Sequence, residues 1–95
     1  MAFTQVAGRK AADVVLYALS TCPWCRRTKD LLNNLGVEYS YVDVDLAAGD
    51  ERAALVAEVR KWNPAMSMPT MVIDGKQVIV GLREAEIRAA LGDGA

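Results

Sequence analysis

The sequence contains no histidine and only two cysteines among its 95 residues. Without histidine, a single chain cannot complete a four-ligand zinc site from cysteine and histidine. Two cysteines are also too few for a disulfide scaffold, which needs more cysteines and an oxidising compartment. The two thiols are therefore expected to perform chemistry, or to bind a metal together with a second chain, carboxylates or an external thiol.

The chain also lacks an excess of one charge and any long apolar run. Lys and Arg number 11 against 12 Asp and Glu, so no overall field favours nucleic acid or an anionic membrane surface. The longest apolar stretch, residues 14–19, is far too short to cross a bilayer, and the N-terminus shows no signal-peptide run. We expect a cytoplasmic protein with no nucleic-acid or membrane partner.

The remaining composition suits one α/β domain. With 53% hydrophobic residues, the chain can bury a core by itself. Residues 13–92 are expected to form the domain. Residues 1–12 are expected to be an N-terminal extension that either adds a short edge strand or stays mobile.

The hydrophobic pattern predicts the order βαβαββα, an α/β sandwich. Short apolar or β-branched runs predict the strands, three- and four-residue spacing predicts the helices, and "DG" predicts a hairpin between the last two strands. The predicted strands are 14–19, 37–45, 70–73 and 77–80. The first predicted helix begins at Pro23 and stops at Gly36, the second follows residues 47–49 with Asp50 and Glu51 at its start and Arg60 and Lys61 at its end, and the third spans 82–91.

The segment "STCPWCRRTKD", residues 20–30, places both cysteines where the first strand gives way to a helix. Cys22 is expected at the helix N-cap, Pro23 at the first helical position and Cys25 one turn further on. Free N–H groups and the partial positive charge of the helix end would lower the pKa of Cys22. Cys22 is thus predicted as the nucleophile and Cys25 as the resolving thiol; a structural disulfide, half a metal site or two unrelated core cysteines are the alternatives.

Basic residues follow the cysteines directly. Arg26, Arg27 and Lys29 occupy the first two turns, where a helix built only for stability would carry acidic residues, as the helix beginning near Asp50 does. The positive charge is expected to stabilise the thiolate and to attract an anionic thiol or an acidic protein surface. A solvated helix face is the alternative reading.

Residues 14–91 resemble the glutaredoxin branch of the thioredoxin superfamily. "CPWC" is similar to that family's active-site tetrapeptide, with Trp24 where tyrosine is usual. "SMPT", residues 67–70, is similar to the family's cis-proline loop, and "GKQVIVG" leads to the glycine before the last helix. The resemblance implies a thioredoxin-like fold, with a four-stranded mixed sheet and three flanking helices, and a dithiol–disulfide oxidoreductase activity.

The resemblance also implies a substrate surface around the cysteine pair. Pro69 would be cis and pack against the pair, and the backbone of Met68 would bind an extended substrate. Arg26, Thr70 and Arg83 could hold glutathione carboxylates, although Arg83 could equally be a surface residue of the last helix. The expected substrate-binding residues are Pro23, Trp24, Arg26, Met68, Pro69, Thr70, Gly81 and Arg83.

Two positions depart from glutathione-using members of the family. These typically carry lysine three residues before the first cysteine, where this chain has Leu19, and Gly-Gly followed by an acidic pair, where it has residues 81–84, "GLRE". The latter segment is closer to small glutaredoxin-like proteins that draw electrons from a thioredoxin-reductase-type enzyme. Glutathione and such a reductase therefore both remain candidate reductants.

The expected function is reduction of protein disulfides or glutathione mixed disulfides by a monomer, in redox homeostasis and electron transfer. No tightly bound cofactor is expected, and glutathione is a candidate co-substrate. The alternative is an iron–sulfur carrier in which two chains bridge a 2Fe–2S cluster through Cys22 with added thiols. Pro23 argues against the alternative, because cluster-binding members of the family usually carry glycine there.

Overall fold

The computed structural model describes residues 3–92, which form one five-stranded sheet with three α-helices. The helices are α1 (Pro23–Leu35), α2 (Gly49–Trp62) and α3 (Glu84–Leu91), and a short 3-10 helix spans Val44–Leu46. The strands are β1 (Thr4–Val6), β2 (Val14–Ala18), β3 (Tyr39–Asp43), β4 (Thr70–Ile73) and β5 (Gln77–Val80).

The sheet is mixed and has the order β1-β3-β2-β4-β5. β2 and β3 are parallel and joined through α1, whereas β4 is antiparallel to both β2 and β5. β1 pairs antiparallel with β3 and so widens the predicted four-stranded sheet to five strands. Residues 4–6 therefore take the edge-strand alternative; residues 1 and 2 lie outside the described residues.

Two hydrophobic clusters sandwich the sheet, because successive side chains of a strand point to opposite faces. Leu16 of β2 belongs to the cluster formed with α1 and α3, whereas Tyr17 belongs to the cluster formed with α2. The buried helical residues are Cys25, Thr28, Leu31, Leu32 and Leu35 in α1, Leu55 and Val59 in α2, and Ile87 and Leu91 in α3.

Three predicted elements are shorter in the structure. β2 ends at Ala18 rather than at residue 19, and β3 begins at Tyr39 rather than at residue 37. Two further boundaries were also wrong. The second strand ends at Asp43 rather than at residue 45, because Val44–Leu46 turns into the 3-10 helix. The last helix begins at Glu84 rather than at Leu82, because Gly81 adopts a positive φ of 84° and Arg83 is the N-cap. Both changes shorten an element where the chain leaves the sheet.

The segment after β1 is fastened to the end of the molecule where α1 stops. The Arg9 N–H donates to the Gly36 carbonyl at 2.7 Å, and the Glu38 N–H donates to the Arg9 carbonyl at 2.8 Å. A Cβ on Gly8 would lie only 2.6–2.8 Å from backbone atoms of Gly36 and Val37. Glycine at position 8 therefore permits this close backbone approach.

Candidate active site

The cysteine pair lies at the N-terminus of α1, beyond the carboxyl end of β2. Cys22 is the N-cap, with extended backbone (φ −87°, ψ 116°), and Pro23 is the first helical residue. The Cys25 N–H donates to Cys22 Sγ at 3.3 Å. Cys22 is partly exposed, Cys25 has no exposed surface, and both are free thiols. The predicted placement of the pair is confirmed.

The two thiols have opposite electrostatic environments. Desolvation acts to raise the pKa of Cys22, but hydrogen bonds from the Cys25 thiol and from the backbone N–H groups of Cys25 and Trp24 outweigh it and lower that pKa. Burial is the main cause that raises the pKa of Cys25 to about 12, and its hydrogen bond to Cys22 adds to the rise. At neutral pH the thiolate is therefore favoured on the more exposed sulfur.

The loop that leads into Cys22 is held by an acidic residue that the sequence analysis did not single out. Asp45 accepts hydrogen bonds from the Ser20 N–H at 2.8 Å and from the Ser20 hydroxyl at 2.5 Å. These hydrogen bonds lower the pKa of Asp45. The Cys22 N–H donates to the Leu19 carbonyl at 3.3 Å, which completes the turn. The loop before the N-cap cysteine is thus held by the side chain of Asp45 and by a main-chain hydrogen bond between Cys22 and Leu19.

The "SMPT" segment is folded beside β5. The Met68–Pro69 peptide bond is cis, and the Pro69 carbonyl accepts a 2.9 Å hydrogen bond from the Gly81 N–H. Pro69 is buried, whereas Met68 is partly buried and packs, like Cys22, against the core cluster beneath α1. Met68 and Cys22 thus share this cluster as a packing partner.

The Thr70 side chain is buried, although the resemblance implied that it could bind a ligand. Its hydroxyl is fully buried, donates to the Ser67 carbonyl at 2.9 Å and accepts from Asn63 Nδ2 at 3.1 Å. Asn63, also buried, donates in addition to the Ser67 carbonyl at 2.9 Å. The two side chains hold the cis-proline loop together internally. The only sequence signal for Asn63 was its position directly before Pro64.

The remaining predicted contact residues are exposed. Trp24 has 54% of its surface accessible, and the Arg27 guanidinium lies over its ring, 5.0 Å from the centroid. Arg26 is exposed in the first turn of α1. Arg83 donates through Nε to the Val80 carbonyl at 3.2 Å and lies 3.7 Å from a carboxylate oxygen of Glu86. Arg83 is therefore an exposed residue at the N-cap of α3.

A second missed feature is an ion pair beneath the first helix. Lys29 Nζ lies 3.1 Å from Asp43 Oδ1, and the two side chains are only 22% and 15% exposed. The same ammonium lies 4.1 Å from the centroid of the Tyr41 ring. The sequence indicates Lys29 only as part of a basic cluster and no role for Asp43. No periodicity within α1 identifies a partner on β3.

Neither a metal cluster nor a membrane span is found among residues 3–92. No group of three or more metal-ligating acidic, cysteine or histidine side chains occurs there. No helix in that range is long and apolar enough to span a membrane.

Comparison with known proteins points to one family. The glutaredoxin family model matches residues 14–78. A glutaredoxin-like 8.6 kDa protein of the rubredoxin operon of Clostridium pasteurianum is 34% identical over 74 residues, covering 78% of this chain and 91% of that protein. The chain spans less than two thirds of the length of several plant glutaredoxins that it matches.

Solved structures agree in fold and in sequence. The glutaredoxin of Methanosarcina mazei Go1 is 47% identical, with a TM-score of 0.87 over 95% of this chain and 87% of that chain. The methanoredoxin of Methanosarcina acetivorans is 44% identical, with a TM-score of 0.87 and 90% of both chains covered. The fold is therefore thioredoxin-like, and the chain belongs to the glutaredoxin family.

Proposed function

We propose that the protein is a dithiol–disulfide oxidoreductase in which Cys22 attacks the substrate and Cys25 resolves the intermediate. One observation carries the proposal. A partly exposed sulfur at a helix N-cap accepts the N–H of a second cysteine whose own thiol is completely buried. The pair thus has the separation of roles that two successive exchange steps require.

In the first step, the Cys22 thiolate attacks one sulfur of a substrate disulfide and the other sulfur departs as a thiolate. In the second, Cys25 loses its proton to solvent and attacks Cys22 Sγ. The mixed disulfide breaks, the substrate leaves as a second thiolate, and the Cys22–Cys25 disulfide forms. The substrate gains two electrons and the protein loses two, so an external reductant must restore the dithiol.

We assign substrate contact to the exposed residues around Cys22. Trp24 offers an accessible aromatic surface and Met68 offers main-chain groups beside the cis-proline. Pro23 shapes the turn, Gly81 supports the cis-proline loop through its N–H, and Arg26 and Arg83 present positive charge. Protein disulfides and glutathione mixed disulfides both fit this surface. We place the reaction in the cytoplasm and propose that the protein acts as a monomer without a tightly bound cofactor.

Two cysteine variants test the proposal. Cys22→Ser should abolish reduction of insulin or of a glutathione mixed disulfide while preserving the fold, because serine is also a good N-cap residue. Cys25→Ser should instead accumulate a mixed disulfide that mass spectrometry detects on Cys22. Retained turnover in Cys22→Ser would exclude Cys22 as the nucleophile, and equal loss without a trapped adduct in Cys25→Ser would exclude its resolving role.

The reductant is a separate question. Leu19 and the "GLRE" segment lack two side-chain features of glutathione-using relatives, so we propose a reductase of the thioredoxin-reductase type as electron donor. Reduction of the oxidised protein by such an enzyme with NADPH should exceed reduction by glutathione alone. Efficient reduction by glutathione would reverse this assignment without affecting the dithiol mechanism.

The alternative is an iron–sulfur carrier in which two chains bridge a 2Fe–2S cluster through Cys22 with added thiols. Anaerobic reconstitution with iron and sulfide tests the alternative directly. We expect a colourless monomer; a coloured dimer that is lost in Cys22→Ser would support cluster binding.

A further inference from the structure

We propose that the Lys29 ammonium, held by Asp43 and the Tyr41 ring, stabilises negative charge on Cys25 Sγ and thereby accelerates the resolving step. The inference rests on the proposed dithiol mechanism and concerns its second half. Lys29 does not touch the reacting sulfurs, so it is a positioning residue for the charge that develops on Cys25.

The helix brings Lys29 over the turn that carries Cys25. Residues four apart on an α-helix share a face, with Cβ atoms about 5–6 Å apart. Helical side chains also lean toward the N-terminus, so a residue covers the turn before its own Cα. Lys29 therefore extends its stem along the same face as Cys25 and toward it.

Contacts with β3 prevent Lys29 from turning into solvent. Its ammonium is 3.1 Å from Asp43 Oδ1 and 4.1 Å from the Tyr41 ring centroid, and its side chain is only 22% exposed. Asp43 stands opposite Ala18 in the parallel β2–β3 register. An exposed lysine would be screened and mobile, whereas this one keeps its charge beside the first turns of α1.

The resolving step needs such a charge. Burial raises the pKa of the Cys25 thiol to about 12, with its hydrogen bond to Cys22 adding to the rise, so the attacking thiolate is scarce at neutral pH. Two charged or ionisable side chains act on Cys25 electrostatically: a negative charge on Cys22 opposes its ionisation and the Lys29 ammonium favours it. In the mixed disulfide Cys22 is no longer an anion, so the field of Lys29 acts unopposed by that thiolate.

A chromogenic aryl disulfide such as DTNB separates the two steps. Attack by Cys22 releases one coloured thiolate and leaves a mixed disulfide. Attack by Cys25 then releases a second coloured thiolate and forms the Cys22–Cys25 disulfide. Stopped-flow absorbance therefore records the nucleophilic step as the first phase and the resolving step as the second.

Lys29→Met should slow only the second phase and move its pH profile to higher pH. Removal of the charge raises the pKa of Cys25 and lowers its thiolate fraction, but the more basic thiolate is more nucleophilic. The second phase therefore slows about threefold for each tenfold fall in the thiolate fraction. Lys29→Arg should restore both the rate and the profile. Equal second phases and equal profiles for wild type and Lys29→Met would overturn the inference.

Two further variants exclude trivial causes. Lys61→Met is the matched control, because Lys61 also pairs with a carboxylate, Glu58 at 3.8 Å, and lies 5.3 Å from the ring centroid of Trp62, but is 65% exposed on α2. It should leave both phases unchanged, and a slowed second phase there would count against a specific effect of Lys29. The double variant Lys29→Met/Asp43→Asn removes the unpaired carboxylate that could unfold the single variant, and its second phase should stay slow.

Asp43→Asn distinguishes the field of Lys29 from proton transfer to Asp43. The amide oxygen that this variant introduces can still accept a hydrogen bond from the Lys29 ammonium, and the Tyr41 ring is unchanged, so the positive charge should stay in place. If Lys29 acts through its charge, this variant should therefore not slow the second phase, whereas a second phase as slow as that of Lys29→Met would assign the effect to the carboxylate and overturn the inference. A wild-type protein that shows no second phase would instead refute the dithiol mechanism itself. The two failures are therefore distinguishable in one experiment.

Discussion

The first two helices, α1 and α2, have nearly the same length, 13 and 14 residues, and each buries one face against the sheet. The charged residues at their ends are arranged differently. α2 begins with Asp50 and Glu51 and ends with Arg60 and Lys61, the order that the helix dipole favours. α1 has no acidic residue in its first turn and no basic residue in its last.

The difference shows what the N-terminus of each helix does. In α2 carboxylates stabilise the helix end, and its N-cap Ala48 makes no side-chain hydrogen bond. In α1 the N-cap sulfur of Cys22 accepts the Cys25 N–H instead. The third helical position carries buried Cys25 in α1 and Glu51 in α2. The helix that carries the cysteine pair therefore departs from a local stability rule at its N-terminus.

The largest expected effect comes from the buried thiol of α1 at alkaline pH. The pKa of Cys25 rises from 9.0 to about 12 in the folded protein, mainly through burial. Above pH 9 the unfolded chain therefore loses this proton while the folded chain keeps it, so stability falls as pH rises toward 12. The loss should reach a few kcal/mol, on the order of 1.4 kcal/mol per pH unit.

Urea unfolding of the reduced protein across this pH range measures the loss. Cys25→Ala should show a shallower decline, because buried Tyr17 and Tyr39, whose pKa values burial also raises, remain in both proteins. α2 carries no such buried thiol. Identical pH slopes for the two proteins would show that Cys25 ionises as readily in the folded state as in the unfolded one.

A smaller effect is expected from giving α2 the side-chain cap that α1 has. Ala48 has the extended backbone of an N-cap, with φ −135° and ψ 157°. Ala48→Ser should therefore stabilise the protein by about 1 kcal/mol, measured as a shift in the urea midpoint. The rate of Cys22 alkylation should not change. A neutral or destabilising result would mean that the Ala48 position cannot direct a hydroxyl at the helix N–H groups.

The smallest effect comes from exchanging the charge rules of the two helices. Arg26→Glu should stabilise α1 by about 0.3–1 kcal/mol but slow iodoacetamide alkylation of Cys22 below neutral pH, because the thiolate loses favourable charge. Glu51→Arg should destabilise α2 by a similar amount without affecting alkylation. A change in the Cys22 alkylation rate in Glu51→Arg, or an unchanged alkylation rate in Arg26→Glu, would contradict the separate roles of the two helix ends.

The sequence predicted the features that depend on neighbouring residues. A buried strand followed by "CP" was sufficient to place Cys22 at an N-cap, and "DG" was sufficient for the hairpin, where Asp74 and Gly75 both adopt positive φ. The cis peptide before Pro69 came from resemblance to a family rather than from any local pattern. The partner of Gly81, the Pro69 carbonyl, depends on how β4 and β5 are aligned.

Contacts between distant residues were not predictable. Ser20 and Asp45 meet because β2 and β3 run parallel and their carboxyl ends leave the sheet together. The Lys29–Asp43 pair depends on the same register. The buried role of Thr70 was also missed, since a threonine that starts a strand is equally compatible with an exposed hydroxyl. Each case requires the strand alignment, which a single sequence does not specify.

The short strand β1 has a consequence for how the protein meets other chains. It occupies one outer edge of the sheet with only three residues, of which Thr4 and Gln5 are exposed and polar. Edge strands of this kind give an approaching chain few main-chain groups to pair with, and so limit sheet extension and aggregation. On this side of the sheet a three-residue strand therefore stands at the edge in place of the five-residue β3.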